Sequence, residues 1–321
     1  MSRCVVTLLI PCYNEEEVLP LLFTRLDALN DQTRGFSYSF NFMFVDDGSK
    51  DKTRKMILQY ADHKNNVEYI FLSRNFGKEK AMFAGINNIN TDAMVIIDAD
   101  LQDPPELIPQ MIDLWRQGYD DVYARRRSRK NETWLKRTTS SLYYSLLQAV
   151  SQVEIQKDTG DFRLLDRKCI LALRRLDESE RNSKALFSWI GFKKIEFLYD
   201  RDERKAGKTK WKYSQLFRLA IDGLTSFTTK PLHFAAYTGF FVSFLAFVYA
   251  LYTFIRTFII GVQVPGYASL LIVILFLGGI NLLCLGVIGE YLGRVFVQTK
   301  QRPNYLIQEE HLSANQNIHN A

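Results

Sequence analysis

The stretch Val95-Ile-Ile-Asp-Ala-Asp-Leu-Gln-Asp-Pro-Pro105 decides how this chain is read. An apolar run enters Asp98-Ala-Asp100 and a Pro-Pro pair follows, the pattern of a buried strand that ends in acid. Alternation along a strand sends Asp98 and Asp100 to the same side. With Gln102 close by, they form a set of hard oxygen ligands. Such a set suits Mg²⁺ or Mn²⁺ carrying a phosphate, not a thiolate-loving metal. An isolated Asp-x-Asp is more often a solvated acidic turn, so its surroundings carry the decision.

Upstream, strand-like and helix-like stretches alternate from residue 5 to about 124. The spacing predicts strands at Val5–Ile10, Ser39–Val45, Val67–Leu72, Ala93–Ile97 and Asp121–Ala124. Between them it predicts helices at Glu16–Leu29, Lys52–Ala61, Lys78–Asn88 and Pro105–Gln117. This order implies an α/β fold with a mostly parallel sheet covered on both faces. Ligands of such sheets bind beyond the carboxyl ends of the strands. Three polar clusters fall there: Pro11–Glu16, Asp46–Ser49 and Asp98–Gln102.

The 321 residues suffice for one large α/β domain and a smaller part. Four cysteines without a C-x-x-C spacing and four histidines suggest no zinc site and a reduced, cytosol-facing protein. The short apolar run Cys4–Ile10 reads as a first strand, not a secretory signal. No G-x-G-x-x-G occurs, and Gly207-Lys-Thr209 lacks the glycine a phosphate loop needs at position 202. Phosphates bound here are therefore held by metal and side chains.

The net charge of +6 is concentrated. Residues 125 to 137 hold seven Lys/Arg and one Glu, and Arg201–Arg218 holds seven Lys/Arg and two acids. Such patches attract phosphate, nucleic acid or an anionic membrane. Trp134–Val150 is apolar on one face; it either lies on a membrane surface or packs on the sheet. Thr159–Asp166 is read as placing Asp161 and Arg163 around one turn.

Leu232–Ile255 and Ala268–Gly289 then carry no Asp, Glu, Lys or Arg over 24 and 22 residues. Each exceeds the roughly 20 residues that span a bilayer, and a short Gly/Pro turn joins them. A hairpin of two transmembrane helices is expected. Lys230 before it and Arg294, Lys300 and Arg302 after it place both flanks in the cytoplasm. Glu290 and Arg294, four apart, are expected to pair.

Pro11-Cys-Tyr-Asn-Glu15, Asp46-Asp-Gly-Ser49, Ser73-Arg-Asn-Phe-Gly-Lys78, Asp98–Pro105, Gly160-Asp-Phe-Arg163 and Gly207-Lys-Thr-Lys210 occur in one order. Together they resemble the family 2 glycosyltransferases of GT-A fold. Among these the chain is similar to the polyprenyl-phosphate glycosyltransferases: bactoprenol glucosyltransferases and, more distantly, dolichol-phosphate mannose synthases. The resemblance covers about residues 5 to 305.

The resemblance implies a cytoplasmic GT-A domain over 1–229, with membrane-surface helices near 133–152 and 212–229. It implies a two-helix anchor over 230–295 and a cytoplasmic tail over 296–321. The implied reaction is inverting transfer of a sugar from a nucleotide donor, UDP-linked in the bactoprenol branch, to undecaprenyl phosphate at the cell membrane, for cell-envelope glycosylation. The partners are then the donor, the lipid phosphate, the bilayer and other copies in a homo-oligomer such as a tetramer, with no nucleic acid.

By the same resemblance Pro11, Tyr13 and Glu15 hold base and ribose, Asp47 bonds the base, and Lys78 belongs to the donor site. Asp98 sits near ribose and metal. Asp100 and Gln102 anchor Mg²⁺ or Mn²⁺, so that Asp100 serves catalysis. Arg127, Arg204 and Lys210 face phosphates, and the run Arg125-Arg-Arg127 leaves open which arginine enters. Asp161 is the acceptor-side acid, either a base or an orienting group. A processive polysaccharide synthase would carry a Gln-x-x-Arg-Trp motif, and no Arg-Trp occurs. A non-catalytic nucleotide- or lipid-binding membrane protein would not need acids at all three clusters.

Overall fold

The structure is a computed structural model that describes residues 3–62, 64–127, 159–178, 181–199, 230–260 and 266–312. The arginine and lysine expected at 204 and 210, and the amphipathic stretches near 133–152 and 212–229, lie outside the described residues. The chain divides into two units. One holds the described residues up to Tyr199 and again from Pro303; the other holds those from Lys230 to Arg302.

The first unit alternates as expected. Strand β1 (Cys4–Cys12) is followed by α1 (Leu19–Gln32), β2 (Tyr38–Asp46), α2 (Thr53–Ala61), β3 (Val67–Leu72), α3 (Lys78–Asn88) and β4 (Ala93–Ile96). A short 3₁₀ turn (Pro105–Leu107) leads into α4 (Ile108–Arg116), then β5 (Asp121–Arg126). Helix α1 begins at Leu19, not Glu16, with Pro20 in its first turn, where a missing N–H costs nothing. After the undescribed stretch come β6 (Thr159–Asp166), α5 (Arg167–Arg174), α6 (Ser183–Trp189) and β7 (Lys194–Tyr199).

Eight strands form one sheet in the order β7-β5-β6-β4-β1-β2-β3-β8, where β8 is Ile307–His311. Only β6 and β8 run against the others. Two expectations change here. Thr159–Asp166 is not a turn but a strand between β4 and β5. The segment after the hairpin, read as a tail, contributes the edge strand beside β3.

Alternation sorts the apolar residues into two layers. Leu8, Ile10, Phe42, Phe44 and Val95 pack under α1, α2 and α4. Leu9, Met43, Val45, Met94 and Ile96 face α3, α5 and α6. Each such side chain, fully buried, contributes about 1.5–3 kcal/mol. Both faces are covered, so the strands read as mostly apolar runs, with Thr7, Asn41 and Glu68 as buried exceptions.

The second unit is two long helices, α7 (Lys230–Ile260) and α8 (Tyr267–Thr299). Cys284 Sγ lies 3.5 Å from the Ala235 carbonyl, and Gly239 offers α8 a surface without a side chain. Glu290 and Arg294 pair at 3.0 Å, as expected. Large apolar residues such as Phe240, Phe247 and Leu282 point outward. Among the described residues one segment, Phe276–Thr299, is long and apolar enough to cross a membrane.

Candidate active site

Strand β4 ends at Ile96, before the acids, yet its alternation continues. Ile97, Ala99 and Leu101 stay buried in the layer under α1 and α4, while Asp98, Asp100 and Gln102 remain partly exposed. The expected same-sidedness of Asp98 and Asp100 therefore comes from apolar anchors beyond the strand. Leu101 is one of these anchors, and it adopts φ +60°, a left-handed conformation uncommon for a residue with a Cβ. Its burial holds the turn that lets the Gln102 N–H donate to Asp100 Oδ1 at 3.1 Å. Beyond it, buried Asp103 accepts from the Tyr199 hydroxyl at 2.5 Å, which ties the acidic loop to β7.

The register of β4 with β6 pairs Ile96 with Arg163. Two further steps along each antiparallel strand bring Asp98 alongside Asp161. Lys78, the first residue of α3, lies between them. Its Nζ is 2.6 Å from Asp98 Oδ1 and 2.6 Å from Asp161 Oδ2. Burial alone would lower the Lys78 pKa, but the two carboxylates outweigh it and raise it. Burial likewise pushes Asp161 up, and Lys78, with Lys184 and Arg163 farther off, brings it below the ordinary carboxylate range. Two residues along β6, Arg163 is fully buried. It pairs with Asp121 at 3.1 Å and lies over the Phe187 ring.

A cleft of about 330 Å³ opens at the carboxyl ends of β1, β2 and β4. Pro11, Tyr13, Glu15, Asp47, Lys78, Asp98 and Asp100 all line it. Cys12, Asn75, Gly77, Ala81 and Ala99 complete the wall. Tyr13 is 42% exposed. Asp47 does something the sequence did not suggest. Its two carboxylate oxygens accept the Phe76 and Gly77 N–H groups at 2.7 and 2.9 Å, so it holds the loop that delivers Lys78. Burial raises the Asp47 pKa against the pull of those two N–H groups.

Gly48, at φ +72°, lets this loop pass so closely that a Cβ would fall 2.4 Å from the Arg74 carbonyl carbon. Glu79, beside Lys78, accepts from the Ser183 N–H at 2.9 Å and so fixes the start of α6. Arg127 lies just past β5, exposed, with its N–H bonded to the Tyr199 carbonyl at 3.0 Å. Of the neighbouring arginines, Arg125 pairs with Glu196 at 2.7 Å.

The acids suit a divalent cation. Asp98 Oδ1 is buried, with the Lys78 ammonium 2.6 Å away. Among the described residues no three His, Cys, Asp or Glu side chains cluster as a complete metal cage. Two carboxylates and one amide fit an ion that keeps water and phosphate oxygens as its remaining ligands, the habit of Mg²⁺.

Residues 7–173 match the glycosyl transferase family 2, and residues 230–295 match the GtrB C-terminal hairpin. The chain belongs to glycosyl transferase family 2. This family 2 glycosyltransferase is 46% identical to an uncharacterised glycosyltransferase of Synechocystis sp., over 95% of each chain. It is 40% identical to a prophage bactoprenol glucosyl transferase homolog of Escherichia coli, over 94% of this chain and 98% of that one. It is 39% identical to the bactoprenol glucosyl transferase of Shigella phage SfII, over 95% and 98%. Among solved structures it is similar to glucosyl-3-phosphoglycerate synthase from Mycobacterium tuberculosis, with TM-score 0.46 and 15% identity over 70% of this chain and 79% of that one. The GT-A-like α/β fold with a C-terminal hairpin thus agrees with the expectation from the sequence.

Proposed function

We propose that this glycosyltransferase moves a sugar from a UDP-sugar to a polyprenyl phosphate, with inversion, to give a polyprenyl-monophosphate sugar. The observation that carries the reading is the convergence of Asp98, Asp100, Lys78 and Asp161 beside a cleft walled by Pro11, Tyr13 and Glu15. The names of the Shigella phage and Escherichia coli relatives supply the acceptor class, bactoprenol, and make glucose the first sugar to try.

The Tyr13 ring and the Pro11–Glu15 turn receive the base and ribose. Asp98, Asp100 and Gln102 would hold Mg²⁺ or Mn²⁺, which when bound supplies Lewis-acid neutralisation of the departing nucleoside diphosphate. An acceptor phosphate oxygen attacks the anomeric carbon as the bond from that carbon to the donor phosphate breaks. A phosphate monoester has its second pKa at about 6, so the acceptor is anionic at neutral pH and needs no base. Asp161, held ionised by Lys78, then orients the acceptor side of the site.

The two helices of the hairpin would anchor the enzyme in the cell membrane with the catalytic domain and both termini cytoplasmic, where the lipid phosphate lies at headgroup level. Arg127, with Arg204 and Lys210, would meet the phosphates there. Association into a homo-oligomer, such as a tetramer, belongs to the same reading.

The test is a donor panel. Purified full-length protein, undecaprenyl phosphate and Mg²⁺ or Mn²⁺ are supplied with separate UDP- and GDP-sugars, and the lipid product is scored by mass. One UDP-sugar should yield an alkali-stable or alkali-labile monophosphate glycolipid of the expected mass. No glycolipid from any donor would overturn the proposal.

A further inference from the structure

We infer that Arg54 is a positioning residue for the nucleotide-binding turn Tyr13-Asn14-Glu15, and that the strand following the membrane hairpin belongs to the same device through Gln308. This inference rests on the donor reading of the cleft given above.

Arg54 lies on α2, away from the cleft wall, and spends its guanidinium on three acceptors from three parts of the chain. Nε donates to Asp46 Oδ2 at 2.6 Å, Nη2 to the Leu72 carbonyl at 2.5 Å, and Nη1 to Gln308 Oε1 at 2.8 Å. Its planar group also lies over the Phe71 ring. A lysine could satisfy one of these acceptors but not the fork. The Asp46 side chain is fully buried at the end of β2, and Arg54 is its ion-pair partner there.

From Asp46 the bonds run directly to the cleft. The Ser49 N–H donates to Asp46 Oδ2 at 3.1 Å, and Ser49 Oγ accepts the Asn14 N–H at 2.8 Å. Asn14 Oδ1 in turn accepts the Lys50 N–H at 2.8 Å, which closes a ring between the two loops. Asn14 sits at φ +54°, a conformation that the ring maintains. Tyr13 and Glu15, on either side of it, line the cleft. Arg54 is therefore two hydrogen-bonding residues removed from the turn it sets.

The far end of the relay is well seated. The Ser73 N–H donates to the Leu306 carbonyl at 2.9 Å, and Tyr305 OH accepts from Asn87 at 3.1 Å while its ring meets Phe83 edge-on. Asn304 donates to Asp177 at 2.6 Å. The segment thus grips α3, whose first residue is Lys78, as well as α2.

The experiment uses full-length protein in detergent or nanodiscs with Arg54→Lys, Ser49→Ala, their combination, and Gln308→Ala. It reads the dissociation constant for UDP, donor KM, acceptor KM, kcat and Tm. Arg54→Lys keeps a cation beside Asp46, so it tests the fork while protecting the fold. Arg54→Lys and Ser49→Ala should each raise donor KM and UDP dissociation constant by about fivefold or more, with acceptor KM within about twofold. The double variant should be no worse than the weaker single, because both cut one relay. Gln308→Ala should raise the same donor parameters by a smaller factor.

Wild-type donor KM in Arg54→Lys, equal losses for donor and acceptor, or additive effects in the double variant would overturn the inference. An unchanged donor KM in Gln308→Ala would remove the strand from it. A wild-type protein that binds no UDP would overturn the donor reading, and this inference with it.

Discussion

Lys78 and Asp161 form an ion pair, Nζ to Oδ2 at 2.6 Å, and the same ammonium lies 2.6 Å from Asp98. One cation thereby joins Asp98 to Asp161, the two acids that the proposed reading puts on the donor and acceptor sides. Lys78→Met should lower kcat by about a hundredfold and also lower the melting temperature, since it leaves the Asp161 carboxylate, 12% exposed, without this cation. Radiolabelled sugar transfer and a thermal melt measure the two effects. Activity within about twofold of wild type would contradict the assignment.

Asp100 stands in a loop bent by Leu101 at φ +60° and stitched by the Gln102 N–H, and the proposed reading makes it a metal ligand. Asp100→Ala should abolish transfer and weaken Mn²⁺ binding, read by electron paramagnetic resonance, by about tenfold or more. Excess EDTA should stop the wild-type enzyme. Undiminished turnover in either case would remove the metal from the mechanism.

The charge state of Asp161 sets the expected pH profile. Its pKa is lowered from the usual value of 3.8, so the group is ionised at every pH above that value. The ion-pair contribution to stability is present there and lost only as pH falls through the lowered pKa. Between about pH 5 and 8 the rate should rise with the second ionisation of the acceptor phosphate near pH 6. Asp161→Asn should keep that limb and part of the activity. Complete loss of activity in a folded Asp161→Asn protein would make Asp161 a base.

Gly48→Ala tests how closely the two loops must pass. Its φ of +72° and a Cβ only 2.4 Å from Arg74 backbone oblige one loop to move. The strain should cost about 1–3 kcal/mol and loosen the loop that Asp47 holds. A lower melting temperature together with a raised donor KM is expected. A melting temperature equal to wild type would show that the loops have room.

The parallel half of the sheet was legible because each strand is buried on both faces, so Val5–Ile10 and Val67–Leu72 read as largely apolar runs, interrupted by Thr7 and Glu68 respectively. Strand β6 was not. Gly160, Asp161 and Arg163 interrupt its apolar residues, and Arg163 is tolerated there only because Asp121 meets it inside the sheet. Strand β8, Ile-Gln-Glu-Glu-His, is exposed along its length and held through backbone pairing, which leaves no hydrophobic pattern to read. In the site, acids at strand ends announced themselves by position. The resemblance gave Asp47 a place at the base, and the structure adds its bonds to Phe76 and Gly77, in a loop 29 residues away, which no local spacing encodes. Arg54 gave no signal for the same reason.

The edge strand β8 has a consequence for counting. Strands β1 to β7 precede the long helices and β8 follows them, yet all eight belong to one sheet. A chain that leaves a sheet and returns to it without passing its folded domain through a bilayer must cross that bilayer an even number of times. Only the segment Phe276–Thr299 satisfies length and hydropathy by itself among the described residues. If α8 spans, an odd number of further crossings lies between β7 and β8, and among the described residues α7, 31 residues long, is the helix placed to supply one.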